Sequence, residues 1–332
     1  MQPNSGLQIL EIELTNKCNL NCKHCYVNRN PLRTFTDKEI FDLIDQAAKL
    51  SVYRLVFTGG EPLLIKNIFE YAKYARLKNI PEVVLMTNGL LISNNNISDL
   101  KVFSFVQLSI DTPPKEKPFF RVDYFSSLEK SIDLLTKNKI KVHLQATMHH
   151  KLIPKMESLI EFAKKKGVTI GFNSLVLIGK AIDLNNEKLN STELKEALEK
   201  VVNLKKEYSF VQCSDPRLFL VDKKRMDYFT SLKKKGILGG CIAGVATLYI
   251  RVNGDVLICP FVDYPIANIF KEKLEDIWFK NETLNKLRNR DNLKGKCKSC
   301  KYRSFCGGCR GSSLVCSGSL FESDTNCWLK ED

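Results

Sequence analysis

The stretch LQILEIELTNKCNLNCKHCY, Leu7–Tyr26, runs from an apolar, β-branched segment directly into a loop carrying cysteines at positions 18, 22 and 25. The part up to Thr15 reads as a strand, so the three thiols stand on the loop leaving its carboxyl end. That is the end at which α/β barrels and doubly wound sheets gather their functional groups. A closed tetrahedral zinc site needs four protein ligands, and His24 is the one nearby residue that could be a fourth. Three thiolates on a cubane would instead leave one iron open to a small molecule.

Outward from this stretch, strands alternate with helices. Strand candidates are YRLVFTG (Tyr53–Gly59), EVVLMTN (Glu82–Asn88), SFVQLSID (Ser104–Asp111), KVHLQATM (Lys141–Met148) and VTIGFNSL (Val168–Leu175). Between them, TDKEIFDLIDQAAKL opens with Thr36 and carries Glu39 three residues on, a capping-box signature. NIFEYAKYARLKN, SSLEKSIDLLTKN and PKMESLIEFAKKKG also have helical periodicity, the last two ending on the C-cap residues Asn138 and Gly167. Six strands separated by helices predict a parallel sheet, because parallel neighbours need crossover connections. The fold class is therefore α/β, a partial (β/α)6 TIM-like barrel, two units short of closure.

STELKEALEKVVNLKKEY, Ser191–Tyr208, reads as a long polar helix, after which the pattern changes. The segment TLYIRVNGDVLIC predicts a hairpin through Asn253-Gly254, and KLEDIWFKNETLNKLRN a single helix. The last forty residues have few periodic apolar positions, so metal ligation is the expected source of their stability. The expected divisions are a barrel over 1–212, a linker or bridging helix over 213–236 and a small Cys-rich domain over 237–332.

With 332 residues, 44% of them hydrophobic and 27% charged, the composition is that of a globular protein with no membrane span. MQPNSG has no secretory character, so a cytoplasmic location is expected, where twelve cysteines point to metal rather than to disulfides. The net charge of +14 is spread along helices, as in the KKK runs at 164–166 and 233–235. That distribution reads as a solvated lysine-rich surface rather than a nucleic-acid tract.

The loop C-x3-C-x2-C with FTGGEPLL (Phe57–Leu64) at the end of the second strand resembles the radical S-adenosylmethionine (SAM) enzymes. The resemblance implies that Cys18, Cys22 and Cys25 hold a [4Fe–4S] cluster whose open iron chelates S-adenosylmethionine, and that His24 packs near the adenine. It further implies that Gly59, Gly60, Glu61 and Pro62 cradle the methionine moiety. Asn88 in MTNG, Ser109 and Asp111 in LSID, and Gln145 on the fifth strand would line the same pocket. His143, His149 and His150 have no ligand spacing and read as structural or surface residues.

The run CKSCKYRSFCGGC, taken alone, favours a zinc ribbon. Together with the front half, the C-terminal third resembles the SPASM extension of radical enzymes, which carries auxiliary [4Fe–4S] clusters. By that resemblance Cys297, Cys300, Cys306 and Cys327 hold one cluster, and Cys241, Cys259 and Cys309 hold three irons of a second. The fourth position of the second is left open, facing substrate or taken by Cys213 or Cys316. Cys213 has the alternative role of donating hydrogen to a substrate radical.

The expected function is reductive cleavage of S-adenosylmethionine and hydrogen abstraction from a substrate, first a peptide or protein undergoing maturation. The alternative is tailoring of a small molecule, such as oxidation or decarboxylation of a tetrapyrrole side chain, and a zinc-containing nucleic-acid binder is a third class. A flavodoxin or ferredoxin is the expected reductant. Few residues precede the first strand, so peptide recognition would fall to a separate leader-peptide-binding protein. Pro260 follows Cys259 where sulfatase-maturing members of the family carry an Asp base, which argues against formylglycine formation.

Overall fold

The computed structural model describes residues 6–122, 124–224, 226–228, 240–304 and 306–329. The six expected strands are present as β1 (Ile9–Thr15), β2 (Arg54–Gly59), β3 (Glu82–Thr87), β4 (Phe105–Ser109), β5 (Val142–Met148) and β6 (Thr169–Ser174). They pair in sequence order, all parallel. Helices α1 (Asp37–Lys49), α2 (Ile68–Leu77), α3 (Phe125–Lys137) and α4 (Met156–Lys166) connect them, and α5 (Ser191–Glu207) follows β6.

Local sequence explains the ends of these helices. Thr36 accepts from Glu39 N while the Glu39 carboxylate accepts from Thr36 N, the predicted box, which stabilises α1 by about 1 kcal/mol. Gly167 closes α4 in the left-handed conformation at φ 66°. The strands alternate: Leu10, Ile12 and Leu14 join the core beneath the helices, so Glu11, Glu13 and Thr15 face the other side, the lumen.

Two features extend the sheet beyond the six units. β7 (Val211–Cys213) adds in parallel to β6, and β8 (Thr247–Ile250) adds in parallel to the opposite edge, Ile9 beside Thr247 and Ile12 beside Ile250. The predicted hairpin, β8 with β9 (Asp255–Leu257), turns at Gly254 with φ 87°, and β10 (Ala267–Asn268) completes a ten-stranded sheet. The Cys-rich region is thus built directly onto the first barrel strand.

KLEDIWFKNETLNKLRN forms two helices, Leu274–Lys280 and Glu282–Arg288, and not one. Asn281 breaks the run with extended backbone, φ −62° and ψ 126°, because its side chain caps Leu284 N and also donates to Ile266 O at 2.8 Å. Residues 225 and 229–236 of the expected linker, which include the KKK run at 233–235, lie outside the described residues. Among the described residues no helix is long and apolar enough to cross a membrane.

Candidate functional site

The loop after β1 is stapled to the turn after β2. Gly60 N donates to Thr15 O at 2.7 Å and Glu61 N to Lys17 O at 2.8 Å. A Cβ on Gly59 would stand 2.3 Å from Thr15 O and one on Gly60 2.1 Å from Lys17 O, so only glycine permits this approach. The first job of the glycine pair is therefore to seat the cysteine loop. Pro62 then opens a one-turn 3-10 helix, Pro62–Leu64, capped by Glu61.

Glu61 is fully buried and ties three segments together. Its Oε1 accepts from Thr87 Oγ1 at 2.6 Å and from Leu63 N at 3.0 Å, and its Oε2 from Asn88 N at 2.9 Å. Burial raises its pKa against those hydrogen bonds. Asn88, so fixed, reaches Asn19 Oδ1 at 2.8 Å and Cys18 Sγ at 3.9 Å.

Donors converge on the sulfurs. Leu20 N lies 3.4 Å from Cys18 Sγ and Arg29 Nη2 3.9 Å from Cys25 Sγ. Burial raises the thiol pKa of Cys18 and Cys22, a cost that metal ligation removes by taking the thiolate. These donors suit anionic ligands, and buried nitrogens of Arg29, Arg121 and His24 still lack partners. The residues present fit a cluster held by three thiolates. No disulfide joins any of the twelve cysteines, and among the described residues no three His, Cys, Asp or Glu side chains gather around a single metal ion.

The segment Phe120-Arg121 was not legible as part of the site. Arg121 has a 9% exposed side chain and lies 3.7 Å from Asp111 and 3.3 Å from His24 Nε2. Burial acts to lower its pKa, but Tyr124, Cys22, Asp111 and Cys25 around it keep it raised. His24 packs on Phe120 at 5.3 Å, and burial beside Arg121 holds its pKa down to about 3, so the ring is neutral. Asp111 accepts from Tyr124 Oη at 2.8 Å and Phe120 N at 3.2 Å and so anchors this segment.

Ser109 and Gln145 are register partners on β4 and β5, with Gly171 beside Gln145 on β6. Gln145 also lines a cavity of about 480 Å³ that begins at the amino ends of the strands. Arg54, Gln107, Lys141, His143 and Gln212 share its wall, and Cys213 and Ser214 stand at its inner end. His143, read from sequence as structural, therefore faces the lumen, held by Thr169 Oγ1 at 2.9 Å. His149 is buried against Phe120, and His150 pairs with Glu193 at 2.9 Å on the surface, as expected of structural residues.

Further along the lumen, Glu13 accepts from Tyr249 Oη, and burial pushes both Glu11 and Glu13 up to about 7. Burial also raises Cys259, and Cys241, Cys309 and Glu11 add to the effect, so this thiol lies near the lumen-facing Glu11 and near the other two. Cys297, Cys300, Cys306 and Cys327 line a second cavity, together with Gly307 and Gly308. Cys297, Cys300, Cys306 and Cys327 thus share one cavity, Cys241 and Cys309 stand about Cys259, and Cys316 is exposed and lies near Lys188.

A family model for the radical SAM superfamily matches residues 12–173, and one for the SPASM iron–sulfur cluster-binding domain matches residues 241–301. The chain is similar to AdoMet-dependent heme synthase of Methanosarcina barkeri, 26% identical over 96% of each chain. It is also similar to PqqA peptide cyclase of Streptomyces rochei, 24% identical over 96% of this chain and 88% of that one. The fold matches the crystal structure of Streptococcus suis SuiB bound to precursor peptide SuiA, with a TM-score of 0.79, 19% identity and coverage of 98% of this chain and 76% of that one.

Proposed function

From the premise that this chain belongs to the radical SAM superfamily and carries a SPASM iron–sulfur domain, we propose that it oxidises a carboxylate-bearing substrate held in the barrel lumen. Cys18, Cys22 and Cys25 hold the cluster, which when bound delivers one electron to S-adenosylmethionine and so makes available a carbon radical that abstracts hydrogen. Asn88 and Leu20 N orient Cys18, and Arg121 presents a fixed cation toward the carboxylate of S-adenosylmethionine.

The observation that carries the substrate class is the lumen wall. Arg54 and Lys141 lie among neutral amides and His143, and no Asp or Glu stands among the described lining residues. Cations beside amides in a concave site select an anion. Arg54 is neutralised by Glu82 at 2.6 Å, so among the described residues Lys141 is the unpaired cation of this wall.

Within that class we favour a tetrapyrrole side chain, because the similarity to the heme synthase spans both chains almost entirely and heme side chains carry carboxylates. Loss of a hydrogen atom from the carbon β to such a carboxylate, then of carbon dioxide and one electron, leaves an alkene. The electron needs an acceptor, which is the role proposed for a cluster that Cys241, Cys259 and Cys309 would hold. The second reading is an acidic peptide, supported by the likeness to the peptide cyclase. A flavodoxin or ferredoxin as reductant, and a separate leader-peptide-binding protein in the peptide case, belong to the proposal.

The test is anaerobic incubation of reconstituted enzyme with dithionite, S-adenosylmethionine and iron coproporphyrin III. Three clusters would give about 11–12 irons per chain. 5′-Deoxyadenosine with a decarboxylated porphyrin is the expected result. No deoxyadenosine under any condition sinks the radical reading, and deoxyadenosine with unchanged porphyrin and no Soret shift transfers the assignment to peptides.

A further inference from the structure

Three buried arginines stand in or beside the C-terminal region, and they differ in one respect. Arg217 is neutralised by Asp215 at 2.7 Å and by Asp324 at 3.4 Å. Arg290 is 3% exposed and Arg310 fully buried, yet among the described residues neither forms an ion pair with a carboxylate. A buried cation without an anion is too costly to persist.

The two differ in turn. Arg310 Nη1 donates to Leu320 O at 2.7 Å and Glu322 O at 2.9 Å, which fastens a loop, while its Nε and Nη2 are buried without a partner. Arg290 makes one bond, from Nη2 to Cys241 O at 2.8 Å, and its Nε and Nη1 are buried without a partner. Buried donors of this kind call for an acceptor.

The surroundings of Arg290 say which one. A Cβ on Gly307 would fall 2.4 Å from its Cζ, so the guanidinium lies flat on the CGGC turn between Cys306 and Cys309. Its Nη2 donates to Cys241 O, Cys306 directly precedes the Gly307 it lies on, and Cys297 lines the same cavity as Cys306 and Gly307. Cys241 belongs to one set of cysteines and Cys297 and Cys306 to the other, and the sets touch where Cys241 N donates to Cys306 O at 3.0 Å. Cysteines of both sets therefore stand beside one guanidinium.

We propose that Arg290 is a shared counter-ion of two auxiliary clusters, its Nε–H and Nη1–H donating to cluster sulfur, and that it holds both reduction potentials up. The inference rests on the reading that the two cysteine sets carry separate clusters. Reduction adds negative charge, so a fixed cation and N–H···S bonds favour the reduced form. Placed between the sets, one residue lets an electron taken from the substrate enter the first cluster and pass to the second without a potential step imposed by charge at either.

The experiment is an EPR-monitored redox titration of anaerobically purified, fully loaded enzyme as wild type, Arg290→Met and Arg290→Lys. Wild-type spectra first establish whether auxiliary clusters are present, and their absence overturns the underlying reading. With clusters present, Arg290→Met should lower both auxiliary potentials by at least a tenfold change in the reduced-to-oxidised ratio, 59 mV for one electron. Arg290→Lys should stay closer to wild type, and the cluster on Cys18, Cys22 and Cys25 should not move. Unshifted potentials in loaded Arg290→Met, a shift of only one auxiliary cluster, or equal iron loss from Met and Lys variants would each overturn the proposal.

Discussion

Tyr249 donates its hydroxyl proton to Glu13 Oε2 at 2.7 Å across 236 residues of sequence, joining the C-terminal hairpin to the first barrel strand. Val252 N adds a second donor to the same carboxyl at 3.4 Å. Burial nevertheless wins and lifts Glu13 from 4.5 to about 7. A raised carboxyl binds its proton more tightly in the folded chain, so its contribution is fully present below about pH 4.5 and is lost as pH rises to about 7. The loss amounts to roughly 3 kcal/mol. Glu13→Gln should remove that slope, so the difference in thermal midpoint between variant and wild type should grow with pH across this window. Glu11, raised in the same way, cancels in the difference. Parallel curves for the two proteins would show that Glu13 ionises freely.

Cys22→Ala removes one of three ligands on a loop that the glycine turn holds in place without metal. The loop should keep its backbone, and the protein should lose about four irons while keeping the rest. Deoxyadenosine formation should fall to background. Iron counting beside chromatography of the nucleoside checks both, and retained cleavage would move the radical site elsewhere.

The six barrel strands, the helix caps Thr36, Asn138 and Gly167 and the hairpin at Gly254 were legible because each rests on local chemistry: β-branched runs, Thr36 with Glu39, and residues suited to a helix end or a turn at positive φ. The cysteine loop and GGEP turn were legible for the same reason, although the structure gives the glycines a further task against Thr15 and Lys17. What stayed hidden depends on long-range proximity. Arg121 reaches the loop across 97 positions to His24, and nothing in FFRVDY announces it. Arg54, Glu11 and Tyr249 are ordinary strand residues until the alternation of the sheet turns them into the lumen. Asn281 defeats helical periodicity because a capping side chain outweighs the apolar pattern around it.

Glu61 should matter more to stability than its place in a turn suggests. Glu61→Ala would strand the Thr87 hydroxyl and the backbone N–H groups of Leu63 and Asn88 in a buried space. At about 1–3 kcal/mol for each stranded donor, a loss of at least about 3 kcal/mol is expected. Glu61→Gln can accept on the Thr87 and Leu63 side but would set an NH2 against Asn88 N–H, so it should fall between the two. Denaturant midpoints rank the three proteins, and isothermal titration with S-adenosylmethionine should follow the same order because Asn88 is positioned by this carboxylate.

Gly171 separates the lumen from the radical site in function. Its missing side chain leaves room for His143 Nε2 and Gln145 Oε1, which a Cβ would approach to 2.6 and 2.8 Å. Gly171→Val should push both residues into the cavity and close the path between Arg54 at the mouth and Gln145 at the inner end. The cysteine loop lies at the other end of the strands and is untouched, so cleavage of S-adenosylmethionine should fall less than turnover of substrate. Turnover of a carboxylate-bearing substrate should fall at least tenfold, about 1.4 kcal/mol in the transition state. The ratio of deoxyadenosine to product is therefore the quantity to measure, and a ratio unchanged from wild type would mean that the substrate does not use this lumen.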